Sequence, residues 1–313
     1  MRILMFGRGV IATVYGQALQ TAGHEVEFYV RPGRAAEYGD AVEVDLLDGR
    51  RKRTGRPVRR RVATRLRESI EPGDGFELVV LSVSHDRLAE AVAFLAPRIG
   101  AATVLVFGNV WDEPLAAVAP IPAEQVVFGF PQAGGGFGSD GVLHAALLRT
   151  VILGTSGAAP SRREAAVQAV FRQAGFTIRE ERDMRGWLFL HFVADAGMFA
   201  QGVRSGGLAR MIGDRRAFSD AFATGRELLP VLEARGVDLR RHRVALLPLR
   251  HPALVATATA WATAHIPFAR ASLAAHTDPD AAEPRAVLRD MLRDARRFGI
   301  PAPRLEPPIR AAP

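Results

Sequence analysis

The stretch Arg2-Ile3-Leu4-Met5-Phe6-Gly7-Arg8-Gly9-Val10-Ile11-Ala12 decides how the first half of the chain folds. Residues 2–6 form a short apolar run of the kind a buried strand needs, and Val10 to Ala22 has helical character ending at Gly23. Between them stands G-x-G-x-x-A. In a strand-loop-helix setting the first glycine allows a tight turn, the second lets the backbone approach a pyrophosphate, and a small third residue lets the helix pack on the strand. His24 to Val30 then alternates polar Glu25 and Glu27 with apolar Val26, Phe28 and Val30, giving a second strand at the distance a βαβ unit requires. The loop Gly7, Arg8, Gly9, Val10 and Ile11 is therefore expected to hold a dinucleotide. An NAD site usually ends its second strand with a carboxylate for the ribose hydroxyls, whereas this strand ends Val30-Arg31-Pro32-Gly33-Arg34, and Arg31 suits a 2′-phosphate. The expected cofactor is NADP(H).

Further along, Leu78 to Val83, Thr103 to Phe107 and Val126 to Phe130 read as strands buried on both faces, with a helix from about Asp86 to Leu95 between two of them. Alternation of this kind predicts an α/β class with a doubly wound, mostly parallel sheet. Ser82 and Ala133, beside two of these runs, are counted with the cofactor residues. After Gly134-Gly135-Gly136 the rhythm changes: Thr150 to Leu153 reads as an edge strand, and Ser161 caps a helix closed by Gly175. From about Met184 helices dominate. The last is marked by Pro284, by apolar Val287, Leu288, Met291, Leu292, Ala295 and Phe298, and by Gly299 and Pro301 as stop signals. The expected division is 1–182, a Rossmann domain, and 183–313, a helical domain for substrate and dimerisation.

Composition narrows the function. The 313 residues contain no cysteine, which excludes disulfides, thiolate metal sites and a cysteine nucleophile; no metal site is expected. No segment reaches the ~18 apolar residues of a membrane span, and the early first strand leaves no room for a secretory leader, so a cytoplasmic protein is expected. The formal charge of +8 comes largely from arginine. Its densest run, Arg50-Arg51-Lys52-Arg53 with Arg59-Arg60-Arg61, flanks Gly49, Gly55 and Pro57 and reads as a solvated hairpin; without interleaved aromatics it gives no support to nucleic-acid binding.

The order and spacing of Gly7-Arg8-Gly9-Val10-Ile11, Gly23-His24-Glu25-Val26, Asn109, Phe128-Gly129-Phe130-Pro131, Trp187-Leu188, and Glu283 followed by Gly299-Ile300-Pro301 resemble the ketopantoate reductase family over nearly the whole chain. The resemblance implies NADPH in the N-terminal domain, hydride transfer to the ketone of a 2-keto acid, a substrate site supplied by the helical domain, and a homodimer. It implies that Asn109 stands beside nicotinamide and substrate, and Glu283 near the cofactor ribose and the reacting centre. It also exposes a departure. The family's catalytic lysine, two residues after the tryptophan, falls at Phe189, and its two substrate asparagines fall at Val193 and Gly197. These three positions share a helix face, since four residues advance only about 40° beyond a full turn. A family lysine after the third strand is likewise replaced by Ser84-His85, and the segment carrying a family serine and threonine matches Ser272 to Ala282, which includes His276.

Without the lysine a nascent alkoxide needs another acid, and a positioned acid is worth about 10² to 10⁴ in rate. Glu283 and His276 are the candidates; His191 and Asp195 lie some 200° and 240° round the helix from Phe189 and read as a structural pair. Phe189, Val193, Gly197 and Ser272 are expected to line an apolar substrate pocket. The expected activity is reduction by NADPH of an imine, enone or bulky ketone. The alternatives are a non-redox cyclase or isomerase on the same scaffold and a non-catalytic NADP-binding protein.

Overall fold

The structure is a computed structural model that describes every residue except 51–54, 156, 158, 275–281 and 306–313. The chain divides into two compact units, Met1–Met184 and Arg185–Pro313.

In the first unit the strands run β1 (Arg2–Phe6), β2 (Glu25–Tyr29), β3 (Ala41–Asp48), β4 (Arg56–Ala63), β5 (Leu66–Arg67), β6 (Leu78–Leu81), β7 (Thr103–Phe107), β8 (Val126–Phe130), β9 (Ala133–Phe137), β10 (Leu143–Leu147), β11 (Thr150–Gly154) and β12 (Thr177–Glu181). The main sheet has the order β12-β11-β8-β7-β6-β1-β2-β5. From β5 to β8 its pairs are all parallel. Numbered along the chain, those six strands stand 3-2-1-4-5-6, the order that places a nucleotide-binding crevice beside the central first strand. Every residue of β6 and β7 is buried, as strands covered on both faces must be. Tyr15 of helix Val10–Thr21 packs edge-on against Phe107 and stacks on Phe176, tying helix, sheet and the approach to β12 into one core.

Two features depart from the sequence expectation. Thr150 to Leu153 is not an edge: β11 runs antiparallel to β8 and carries β12 on its other side. And a second sheet, β4-β3-β10-β9, absorbs the triple glycine as the strand β9. There Gly135 has φ of +159°, and a Cβ would stand 2.3 Å from the His144 carbonyl oxygen, so only glycine lets β9 approach β10 so closely. The basic hairpin is β3-β4, with Asp48 opposite Arg56; Arg51, Lys52 and Arg53 lie outside the described residues. Arg50, first of that run, is not solvated: its guanidinium grips Asp48 at 2.7 Å and donates to the Ala174 carbonyl.

The second unit is helical, chiefly Met184–Ser205, Arg215–Glu227, Pro252–His265, Pro267–Ala274 and Ala282–Arg297. Asp214 caps the second of these, its Oδ1 accepting from the Arg216 and Ala217 N–H groups. In the last helix the buried stripe includes Val287, Met291 and Ala295 but also Asp290 and Asp294, while Leu288 and Leu292 are half-buried and Phe298 lies beyond the helix end. Asp294 is tolerated inside because Arg235 stands 3.0 Å from it. Among the described residues no helix is long and apolar enough to cross a membrane.

Candidate functional site

The loop after β1 has the geometry its glycines imply. Gly7 has φ of +102°, a conformation L side chains rarely adopt, and donates its N–H to the Tyr29 carbonyl at 3.0 Å, which ties the loop to the end of β2. Gly9 precedes helix Val10–Thr21 with extended backbone. No side chain caps that helix, and its first turn carries no acidic residue, so the N–H groups at its positive end are left for an anion. At both glycines a Cβ would meet nothing within 4 Å: the space above the loop is open. Ala12 is buried as expected, but the closest helix-sheet approach is at Gly16, where a Cβ would stand 2.6 Å from the Phe28 ring. Val10 and Ile11 are half-buried and pack on the core.

Beside this loop opens a cavity of about 370 Å³. Its floor is aromatic, with Phe6, Tyr29 and Phe94 stacked in succession at 4.9 Å between neighbouring centroids. Its rim is basic: Arg8, Arg31, Arg34 and Arg87 line it, and Glu90 is the one carboxylate among the lining residues. The Arg8 guanidinium lies 4.6 Å from the centre of the Tyr38 ring, and burial holds it below its usual pKa. Arg34 meets the same ring from its own turn, at 5.1 Å, and donates to the Tyr38 hydroxyl. Neither arginine's Nε, though inaccessible to solvent, has a hydrogen-bond partner among the described residues. Arg31, at the end of β2, is exposed at the mouth. Sequence reading found Arg31 and Arg8; Arg34, Tyr38 and Phe94 join them only through the fold.

The remaining cofactor positions lie around the same sheet edge. Ser82 follows β6, its hydroxyl buried and without a partner among the described residues; Ala133 opens β9 against the core; half-buried Asn109 follows β7. Open glycines, an uncapped helix, an orphaned hydroxyl and a basic aromatic cavity together fit a dinucleotide.

Residues expected for substrate and proton transfer belong to the second unit. Glu283 stands in the first turn of helix Ala282–Arg297, and Ser272 is exposed on helix Pro267–Ala274 with its hydroxyl donating to the Ala269 carbonyl. His276 lies outside the described residues. Phe189, Val193 and Gly197 are all buried on one face of helix Met184–Ser205, and within this unit that face is a packing surface. A Cβ on Gly197 would stand 2.4 Å from the Ala221 carbonyl oxygen and 3.0 Å from the Gly225 nitrogen, so helix Arg215–Glu227 crosses there in close contact. Two guanidiniums lie over the Phe189 ring, Arg235 at 4.0 Å and Arg185 at 4.7 Å from its centre. His191 and Asp195 form an i, i+4 pair at 3.5 Å, and Trp187 stacks on the imidazole. Among the described residues no group of histidines and carboxylates is placed to hold a metal ion.

A 3-2-1-4-5-6 sheet with this glycine loop, followed by a helical unit, defines an α/β dinucleotide-binding fold of the two-unit reductase type. Residues 3–157 match the family model described as Ketopantoate reductase PanE/ApbA, a family that binds NAD(P)H. Solved structures extend the likeness of fold to the whole chain. The 2-dehydropantoate 2-reductase of Geobacter metallireducens GS-15 is similar at a TM-score of 0.68 and 18% identity, covering 97% of this chain and 96% of that one. The PanE/ApbA family ketopantoate reductase of Ralstonia eutropha JMP134 gives 0.65 and 18%, covering 97% and 95%. A D-mandelate dehydrogenase solved with NADH and anilino(oxo)acetate gives 0.68 and 15%, also covering 97% and 95%. No curated protein sequence matches the chain.

Proposed function

We propose that the protein is an NADPH-dependent reductase whose acceptor is an imine, enone or bulky ketone more apolar than ketopantoate. The observation that carries NADPH over NADH is the convergence of Arg8, Arg31 and Arg34 on one cavity at the ends of β1 and β2, where a ribose-binding carboxylate would stand in an NAD site. An arginine-rich rim favours the 2′-phosphate by charge and by bidentate geometry.

When bound, the cofactor supplies a hydride. The chain does the rest: the Gly7–Gly9 loop and its helix take the pyrophosphate, the three arginines the 2′-phosphate, Asn109 orients the acceptor's oxygen or nitrogen, and Glu283 returns the proton that the family's lysine would give. A more apolar acceptor is supported by the sequence alone: positions 189, 193 and 197 carry none of the polar groups the family keeps for a substrate hydroxyl or carboxylate, while the side chains present are buried against their own unit. That a D-mandelate dehydrogenase of similar fold was solved with an aromatic oxoacetate supports an acceptor with a bulky apolar substituent. Phe189 itself favours a second reading, a non-redox step on the same scaffold.

Titration with NADPH and NADH, repeated with Arg31→Ala, tests the proposal. NADPH is expected to bind at least ~10-fold tighter than NADH, and the variant to lose about that factor, the worth of one charged hydrogen-bonding contact. Oxidation of NADPH by one of the three acceptor classes completes the case. Tight NADPH binding with no acceptor turned over favours the non-redox reading, and failure to bind either nucleotide overturns both.

A further inference from the structure

Between Val30 and Tyr38 the chain makes a tight turn closed by the Arg34 N–H donating to the Arg31 carbonyl at 3.1 Å. Pro32 has no N–H, Gly33 sits at φ +82°, and the short helical turn Ala35–Tyr38 starts at Arg34 with no side-chain cap of its own. The Ala35 N–H opens that helical turn and is left for an anion. The anion is internal. Glu68 accepts from the Ala35 N–H, whose nitrogen is 2.7 Å from Oε1, and the backbone N–H groups of Ala35, Gly33 and Arg34 hold its carboxyl below the usual carboxylate range.

Glu68 is itself well anchored. It follows β5, which pairs with β2 so that Phe28 donates to the Arg65 carbonyl and Val30 to the Arg67 carbonyl. Arg67 is fixed by Asp74 at 2.9 Å and Glu27 at 3.5 Å. The turn that Glu68 grips carries Arg31, Arg34 and Tyr38, and Tyr38 in turn supports Arg8. All four line the cavity, whereas Glu68 does not.

We infer that Glu68 is a positioning residue for cofactor choice: by holding the Ala35 N–H from the end of β5 it sets the turn that aims Arg31, Arg34 and Tyr38 at the 2′-phosphate. The inference rests on the reading of the cavity as an NADPH site. A carboxylate beside a phosphate site has two opposite consequences. As a bare charge it repels phosphate, so removing it would tighten NADPH binding. As the keystone of the turn, removing it loosens the arginines and weakens NADPH while leaving NADH, which lacks the 2′-phosphate, nearly untouched.

The sign of the change therefore decides, measured on the full chain as dissociation constants for NADPH and NADH in wild type, Glu68→Ala and Glu68→Gln, with thermal midpoints as a folding control. The expected result for Glu68→Ala is about tenfold weaker NADPH binding and less than twofold change for NADH. Glu68→Gln keeps an oxygen acceptor for the Ala35 N–H but loses the charge, so it should fall between, and it serves where the alanine variant does not fold. An unchanged or raised NADPH-to-NADH preference, or equal weakening of both, overturns the inference while the NADPH reading stands. If wild type binds neither nucleotide, the reading itself fails and the inference falls with it.

Discussion

The guanidinium of Arg235 lies 4.0 Å from the centre of the Phe189 ring, and Arg235 is held there by Asp294 at 3.0 Å. Position 189 is where resemblance to the ketopantoate reductases places a catalytic lysine, yet here the ring meets a second guanidinium as well, Arg185 at 4.7 Å. Phe189→Lys would put an ammonium beside two guanidiniums at a site with 0% exposure. It is expected to destabilise by about 3 kcal/mol or more, the scale for an uncompensated buried charge, and not to create ketopantoate reduction. Thermal unfolding of the variant beside Phe189→Leu checks this. A Phe189→Lys protein as stable as the leucine variant would show that the cation cage is dispensable.

The second asparagine position is closed by backbone rather than by charge. Gly197→Asn, which would rebuild the family pattern, places its Cβ against the Ala221 carbonyl oxygen, 2.4 Å away in the present packing. Helix Arg215–Glu227 must move to admit it. The expected cost is ~2 kcal/mol or more, as for overpacking a tight core, and Gly197→Ala should show most of it, since the first carbon already clashes. Val193→Asn lacks that clash and instead buries an amide, so the two substitutions fail for different physical reasons. Chemical denaturation of the three variants separates them: a neutral Gly197→Ala would refute the close-contact explanation.

The first βαβ unit and the central strands were legible because their signals are local. Apolar runs such as Leu78 to Leu81 report burial on both faces, and the glycine spacing reports a turn and a close approach. The second sheet was not legible, because β9 reads Ala-Gly-Gly-Gly-Phe and is held by its partner β10, not by strand propensity. β12 escaped notice for a related reason: Thr177-Ile-Arg-Glu-Glu is a largely exposed, charged edge, so β11 looked terminal. In the site, Arg31 could be found from its place at a strand end. Arg34, Tyr38 and Glu68 could not, since a turn and a two-residue strand bring them together and neither leaves a periodic trace.

His24 gives the fold an acid-side sensitivity. Burial lowers its pKa below the ordinary value of 6.5, and the N-terminal ammonium adds to that. The unfolded chain thus binds a proton more readily than the folded one. Above pH 6.5 both states are neutral at this residue and it contributes its full share of stability; as pH falls below 6.5 and on through the folded value, that share is lost. His24→Gln removes the titration. Its thermal midpoint should therefore fall less steeply than the wild type's between about pH 7 and pH 5. Parallel curves would assign the acid sensitivity elsewhere.

Arg8 and Tyr38 pose the last question, whether the glycine loop and the β2 turn act on the cofactor separately or together. The arginine belongs to the loop, the ring to the turn, and they meet at 4.6 Å. Replacing the ring by Tyr38→Leu leaves both arginines their charge but takes away the surface on which Arg8 rests and the hydroxyl to which Arg34 donates. If the contact organises the rim, Tyr38→Leu and Arg8→Ala should each weaken NADPH, by about fivefold to fiftyfold, and the double variant should lose less than the product of the two. Additive losses would instead mean that Arg8 and the turn act on the cofactor independently, with the stacking incidental.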